Sequence, residues 1–153
     1  MTSKESLILL SEVARLLRKR FEQRAQLLGL TRPQWRTLAH LSKNEGMHQA
    51  ALAELLEIEP IALVRIVDQL VERGFVERRR HATDRRMWLL HTLEAVRPLL
   101  DEIHVLADAT KEEALKDIEQ DRLDQAFAVL SEIKENLLQA CATPFAEKEH
   151  KNG

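Results

Sequence analysis

The sequence predicts a mostly α-helical domain interrupted once by a small β-hairpin. Three observations carry that expectation. Apolar residues recur at three- and four-residue spacing along most of the chain; Gly and Pro, four of each in 153 residues, fall between the periodic segments; and the helical period fails in only one stretch, around residues 75–91. A chain of this length supports one core with appended helices more readily than two ordinary domains.

The first helix is expected to run from about residue 5 to 28, because Leu7, Leu10, Ala14, Leu17, Phe21 and Leu28 form one apolar stripe before Gly29. Thr31-Arg32-Pro33 restarts the helix, with a cap and a proline at its first positions, and Trp35, Leu38, Ala39 and Leu41 supply its buried face. After Gly46 a short Ala/Leu-rich helix covers Gln49 to Leu56, followed by Glu57-Ile58-Glu59. Pro60 opens and Gly74 closes the next helix, whose core side is Leu63, Ile66, Val67, Leu70 and Val71. Phe75–Arg79 and Met87–His91 carry bulky or β-branched residues around the polar stretch His81 to Arg85, and read as the two strands of a hairpin. Helical spacing returns through Leu99, Ile103, Leu106, Thr110 and Ala114, and again through Leu123, Phe127, Leu130, Ile133, Leu137 and Cys141. Residues 143–153 have little to bury and are expected to form a flexible tail.

Net charge is −2, but it is unevenly spread. Residues 1–59 hold 9 Lys+Arg against 7 Asp+Glu, residues 60–92 hold 7 against 4, and residues 93–153 hold 7 against 14. A basic centre beside an acidic end suits contact with a polyanion, since local field outweighs net charge; a solvated Arg-rich face is the plainer alternative. The single Cys141 excludes a disulfide framework, and the early apolar cluster Leu7 to Leu10 is broken by Ser11, Glu12 and Arg15, so neither a signal peptide nor a membrane span is expected and the cytoplasm is the simplest location. No two of the six histidines share metal-binding spacing on one helix, and no cofactor is expected. No nucleophile–base pair, phosphate-binding Gly loop or framed carboxylate pair points to an enzyme.

The central order of short helix, turn, second helix and basic hairpin is the layout of a winged helix-turn-helix, which puts its second helix in the DNA major groove. On the helix from Pro60, Ile61, Ala62, Arg65 and Gln69 lie off the core face, where Arg suits guanine, Gln suits adenine and small apolar groups approach a thymine methyl. The plainer alternative for Arg65 is an ion pair with Asp68 on the helix surface. In the hairpin, Arg78, Arg79, Arg80, His81, Arg85 and Arg86 crowd cationic side chains around one turn, with Asp84 the only acid among them. Phosphates would relieve their mutual repulsion, an Arg at the tip suits the minor groove, and Asp84 suits bracing Arg86 better than touching DNA.

The run from Val67 through Arg78, Val-Asp-Gln-Leu-Val-Glu-Arg-Gly-Phe-Val-Glu-Arg, followed by Thr83-Asp84-Arg85-Arg86, resembles the MarR family of bacterial regulators, and its SlyA-like branch most. The resemblance spans roughly residues 7–141. It implies a homodimeric winged-helix regulator: one domain over 1–142, a DNA-binding lobe at about 33–92, and dimerisation helices at about 5–28 and 93–141. It also implies that Arg65 contacts bases, Arg85 enters the minor groove, and Asp84 braces Arg86. Two departures stand out: Glu57 where the family often has Gly in the turn, which a left-handed conformation would strain by roughly 1–2 kcal/mol, and Thr92-Leu93 where Leu-Thr usually follows the second strand.

A long helix with an apolar stripe cannot hide it on so small a lobe, so a second copy is its natural cover. The resemblance further implies a small aromatic carboxylate effector, for which Arg15, Arg18 and Trp35 are the candidates. Cys141 lacks a neighbouring cation and reads as a passive thiol. The leading expectation is a ligand-responsive regulator, a repressor or an antagonist of a nucleoid silencer, that binds a pseudo-palindromic duplex with Pro60, Arg79, Arg80, His81, Arg85 and Arg86 also at the DNA. The alternative is a winged-helix protein-interaction module that does not read DNA.

Overall fold

A computed structural model describes residues 1–145. Two compact units make up the chain: Met1–Ala114, and the segment from Leu115 onward. The first holds, in order, α1 (Ser3–Ala25), a 3-10 turn (Gln26–Leu28), α2 (Arg32–Lys43), β1 (Met47–His48), α3 (Gln49–Leu56), α4 (Pro60–Glu72), β2 (Val76–Arg80), β3 (Trp88–Thr92), a second 3-10 turn (Glu94–Val96) and α5 (Arg97–Ala114). The second holds α6 (Gln120–Ala142). Of the expected tail, residues 143–145 follow α6 without regular structure; residues 146–153, including His150, lie outside the described residues.

The helix starts are written locally. Thr2 and Glu5 form a capping box on α1, and Thr31 and Gln34 form a second on α2, each pairing a side chain with the other residue's backbone N–H. Gly29 ends the first 3-10 turn at φ 66°, a left-handed conformation that a side chain would strain. α3 also ends left-handed, but there the residue is Glu57, at φ 54° and ψ 44°. Ile58 N–H then bonds back to Ala53 O at 3.1 Å, closing the helix end in a Schellman-like turn that aims α4 across α3.

The core joins Leu38 and Leu41 of α2, Leu52 and Leu56 of α3, Leu63, Val67 and Leu70 of α4, Val76 of β2, Leu90 of β3, Val96 and, from α5, Ile103. Several expectations about burial change, and Ile66 on α4 is half-buried like Trp35 on α2. On α2 the hidden face is Gln34, Thr37, Leu38 and Leu41, while Trp35 and Ala39 are half-buried. Thr37 can be buried because its hydroxyl donates to Pro33 O at 2.7 Å. On α4, Val71 lies one step off the Leu63–Val67–Leu70 stripe and is 38% exposed.

The hairpin forms, but both strands run one residue later than expected, and a third strand joins it: the antiparallel order is β1-β3-β2. β1 is two residues long, too short for alternation to reveal, and pairs Met47 with Leu90 and His48 with Leu89. β2 pairs Val76 through Arg80 with Thr92 through Trp88. β3 ends at Thr92, whose N–H donates to Glu45 Oε2 at 3.0 Å and whose hydroxyl donates to the same carboxylate. Leu93 N–H bonds Phe75 O at 2.9 Å, so Thr92 closes the sheet and Leu93 leads into the 3-10 turn without a side-chain cap.

Candidate nucleic-acid interface

α4 is long enough to cross a groove, and its exposed side carries Ile61 (71% exposed), Ala62, Arg65 and Gln69. Pro60 occupies its first turn and no side chain caps it, so its leading N–H groups remain open to an anion. The side chain of Arg65 has no partner among the described residues. Asp68, the alternative partner expected from the sequence, takes the guanidinium of Arg78 at 2.6 Å instead.

Arg78 is a strut rather than a contact. Its Nε donates to Gln49 Oε1 at 3.1 Å and its Nη2 to Val64 O at 3.2 Å, so one half-buried side chain ties β2 to both helices of the helix-turn-helix. Arg79 is paired with Glu77 two residues back on the same strand face. The Arg80 guanidinium lies 5.0 Å from the ring centroid of Trp88, its cross-strand partner, which holds the charge outward while leaving its N–H groups available. Arg73, near the end of α4, lies 4.8 Å over Phe75 and donates to Gly29 O at 3.2 Å.

The wing turn is ordered by its own hydrogen bonds. His81 N–H bonds Met87 O and Met87 N–H bonds Asp84 O, both at 3.1 Å. His81 Nδ1 accepts from the N–H groups of Thr83 (3.2 Å) and Asp84 (3.1 Å), which puts the ring hydrogen on Nε2. Asp84 Oδ1 accepts from the backbone N–H of Arg86 at 3.0 Å, so it braces that residue through the main chain, with no ion pair to its guanidinium. The side chains of Arg85 and Arg86 are exposed at the tip and have no partner among the described residues.

The three effector candidates are not gathered in one cleft. Trp35 meets Phe21 edge to face, with ring centroids 4.5 Å apart, and packs against the core. Arg15 borders a shallow groove of about 390 Å³ with Lys4, Leu7, Ile8, Ser11 and Glu12. Arg18 is exposed on α1.

A polar cluster that the sequence does not reveal joins α1 to α5: Glu113 takes Arg20 at 2.7 Å and also Arg24, while Arg24 donates to Thr110 Oγ1 at 2.9 Å. Hydrogen bonds from Arg20 and then Arg24 pull the Glu113 carboxyl down to about 2, against slight desolvation. The signal was present only as isolated charges on separate helices. Among the described residues no group of three His, Cys, Asp or Glu side chains could hold a metal ion, and no helix is long and apolar enough to cross a membrane. Cys141 is exposed on α6.

Residues 28–87 match the sequence pattern of the MarR family, a span that starts at the α1–α2 joint and ends in the wing turn. The chain is similar to the transcriptional regulator PA3341, at 28% identity and a TM-score of 0.76 over 86% of this chain and 97% of that one. It is similar to a MarR-family transcriptional regulator from Rhodococcus sp. RHA1, at 26% identity and a TM-score of 0.72 over 87% and 94% of the two chains. A mutant MarR from E. coli, solved with operator DNA, shares the fold at 21% identity and a TM-score of 0.69, covering 82% of this chain and 90% of that one. The MarR family is one of transcriptional regulators, not enzymes.

Proposed function

We propose that this chain, which is MarR-family in sequence across residues 28–87 and in its winged-helix fold, is a homodimeric regulator that reads duplex DNA with α4 and steadies itself with the wing. One observation carries the reading. Of the seven arginines in residues 60–92, Arg73, Arg78, Arg79 and Arg80 are engaged within the lobe, and the three without partners among the described residues are Arg65 on the reading face and Arg85 and Arg86 at the wing tip. Arg65 is placed to give two hydrogen bonds to a guanine edge, with Pro60, Ile61 and Ala62 beside it. Arg85 suits the narrow minor groove, while Arg79, Arg80, His81 and Arg86 flank it toward the phosphates. The Thr83-Asp84-Arg85-Arg86 turn supports placement in the SlyA-like branch.

The dimer is supported by apolar side chains left in water. On α1, Leu7, Ile8, Val13 and Leu16 are 47–66% exposed, and on α6 Leu137 and Leu138 exceed 50%. Rows of this kind on long helices are covered in a stable protein, and a second copy with the same rows covers them symmetrically. Two reading helices related by a two-fold axis then face half-sites about one DNA turn apart, hence a pseudo-palindromic operator, and a protein that reads the cell's DNA works in the cytoplasm. Effector response through a small aromatic carboxylate is assigned to Arg15 and Arg18, since Trp35 is held by Phe21; two Arg side chains one turn apart on α1 suit a carboxylate. An effector releases DNA only by binding the DNA-incompetent dimer more tightly.

The test is fluorescence anisotropy on its own upstream region against a scrambled duplex over a salt series, with Arg65→Ala and Arg85→Ala alongside. Sequence preference that Arg65→Ala removes, with a steep salt slope that Arg85→Ala flattens, is the expected result. Failure of sites selected from random duplexes to enrich would leave the protein-interaction module as the better reading. Benzoate, as probe, should weaken binding in the wild type and not in Arg15→Ala.

A further inference from the structure

We infer that Gln34, a buried residue of α2 that cannot reach DNA, determines which hydrogen-bonding group α4 offers at Gln69. The inference rests on α4 being the DNA-reading helix. Its starting point is a backbone group whose polarity cannot change: the N–H of Thr31 can only donate, and it bonds Gln34 Oε1 at 3.1 Å. With its oxygen committed there, the Gln34 amide turns its nitrogen the other way, where Nε2 donates to Gln69 Oε1 at 3.0 Å. Gln34 is only 9% exposed, so neither end of this amide exchanges its partner for water without cost. The relay therefore fixes the Gln69 amide as well: its oxygen is turned toward α2, and its NH2 group, without a partner among the described residues, is the end left for a ligand.

The consequence is chemical. A free glutamine pairs with adenine by accepting from N6 and donating to N7 together. Gln69, with its oxygen drawn to Gln34, is instead a donor, suited to a phosphate oxygen or to an acceptor such as guanine O6 or N7 or thymine O4. The sequence reading of Gln69 as an adenine contact considered this side chain alone, whereas its orientation is set 35 residues away in sequence by a helix cap. Gln34 is thus a positioning residue that acts through Gln69. Arg73, bonded to Gly29 O on the other side of the cap, keeps α4 and the α1–α2 joint in register so that the relay can span them.

Gln34→Glu reverses the relay with almost no change in shape. A carboxylate there still accepts from Thr31 N–H, but its second oxygen can only accept, so Gln69 must turn its nitrogen inward and its oxygen outward. Full-length protein is first used to select sites from random duplexes, and binding to the selected site is then measured for wild type, Gln34→Glu, Gln69→Ala and the double variant, with thermal unfolding beside each. We expect Gln34→Glu to weaken binding about tenfold when Gln69 is present and by no more than about twofold in the Gln69→Ala background, the coupling of a lost donor. Site selection with Gln34→Glu should also shift the preferred base or relax it. In the free protein, the Gln69 side-chain amide protons should exchange with solvent more slowly in Gln34→Glu than in wild type.

Equal losses in both backgrounds would overturn the inference, because a misplaced charge or a weakened helix acts whatever residue 69 is. Unchanged exchange of the Gln69 amide protons would overturn it without reference to DNA. No enrichment by the wild type would sink the DNA reading itself, and the exchange measurement would still decide the relay.

Discussion

Glu57 sits in a backbone conformation that its side chain opposes, and replacing it with glycine should stabilise the protein. At φ 54° and ψ 44° the Cβ of an L-residue crowds its own carbonyl, at a cost of roughly 1–2 kcal/mol. Glycine escapes that crowding, but the unfolded chain gains freedom that offsets about 0.5–1 kcal/mol. Among the described residues the side chain gives nothing back: Glu57 is exposed, and its bonds are made by its backbone N–H to Ala53 and Glu54. Glu57→Gly should therefore raise stability by about 1 kcal/mol, a midpoint shift of roughly 2–4 °C for a chain of this size. Thermal unfolding followed by circular dichroism at fixed protein concentration is the assay, because dimerisation makes the midpoint concentration-dependent. Glu57→Ala is the control, since it removes the carboxylate and keeps the strain. A glycine variant no more stable than the alanine variant would refute the strain argument and mean that the turn is held in place from outside. Both variants remove a negative charge next to α4, so both should bind DNA somewhat more tightly at low salt, and that shared gain separates electrostatics from strain.

Other consequences follow from the same geometry. Arg78→Met keeps the aliphatic stem but releases Asp68, Gln49 and Val64, and should cost about 1–2 kcal/mol while exposing the wing to proteolysis, whereas Arg85→Ala should leave the unfolding midpoint where it is. Glu113, held at about 2 against an ordinary 4.5, contributes stability that is complete above pH 4.5 and lost as pH falls toward 2. Glu113→Gln should flatten the acid limb of the stability curve in that window, and an unaltered limb would show that the α1–α5 cluster does not hold the helices in solution. Leu7→Glu with Leu10→Glu should shift the sedimenting species from dimer to monomer and abolish tight operator binding, without unfolding a lobe that these residues do not touch.

Much of the fold was legible because its signals are local. Pro33 and Pro60 open helices, Gly29 and Gly74 close them, and the Leu63–Val67–Leu70 stripe points inward as its spacing requires. The left-handed turn at Glu57 was foreseeable only as a departure from a resemblance, since nothing in the composition of Glu57-Ile58-Glu59 demands it. β1 was hidden because two residues carry no period, and its pairing partner Leu90 is more than forty positions away. Hydrophobicity ranks the indole of Trp35 above the amide of Gln34, yet the capping box and the bond to Gln69 bury the amide more deeply.

By itself the sequence determined the helical framework, the basic centre and the face on which Arg65 lies, because periodicity, caps and charge counts act over a few residues. It could not determine which arginines are free. Arg78, Arg79, Arg85 and Arg86 are alike as sequence, and only the packing of β2 against α3 and α4 brings Gln49, Val64 and Asp68 around the first while leaving the last two at the tip. Charge is a property of a residue, but its availability to a ligand depends on what the fold has already placed beside it, and that is decided by contacts between segments far apart along the chain.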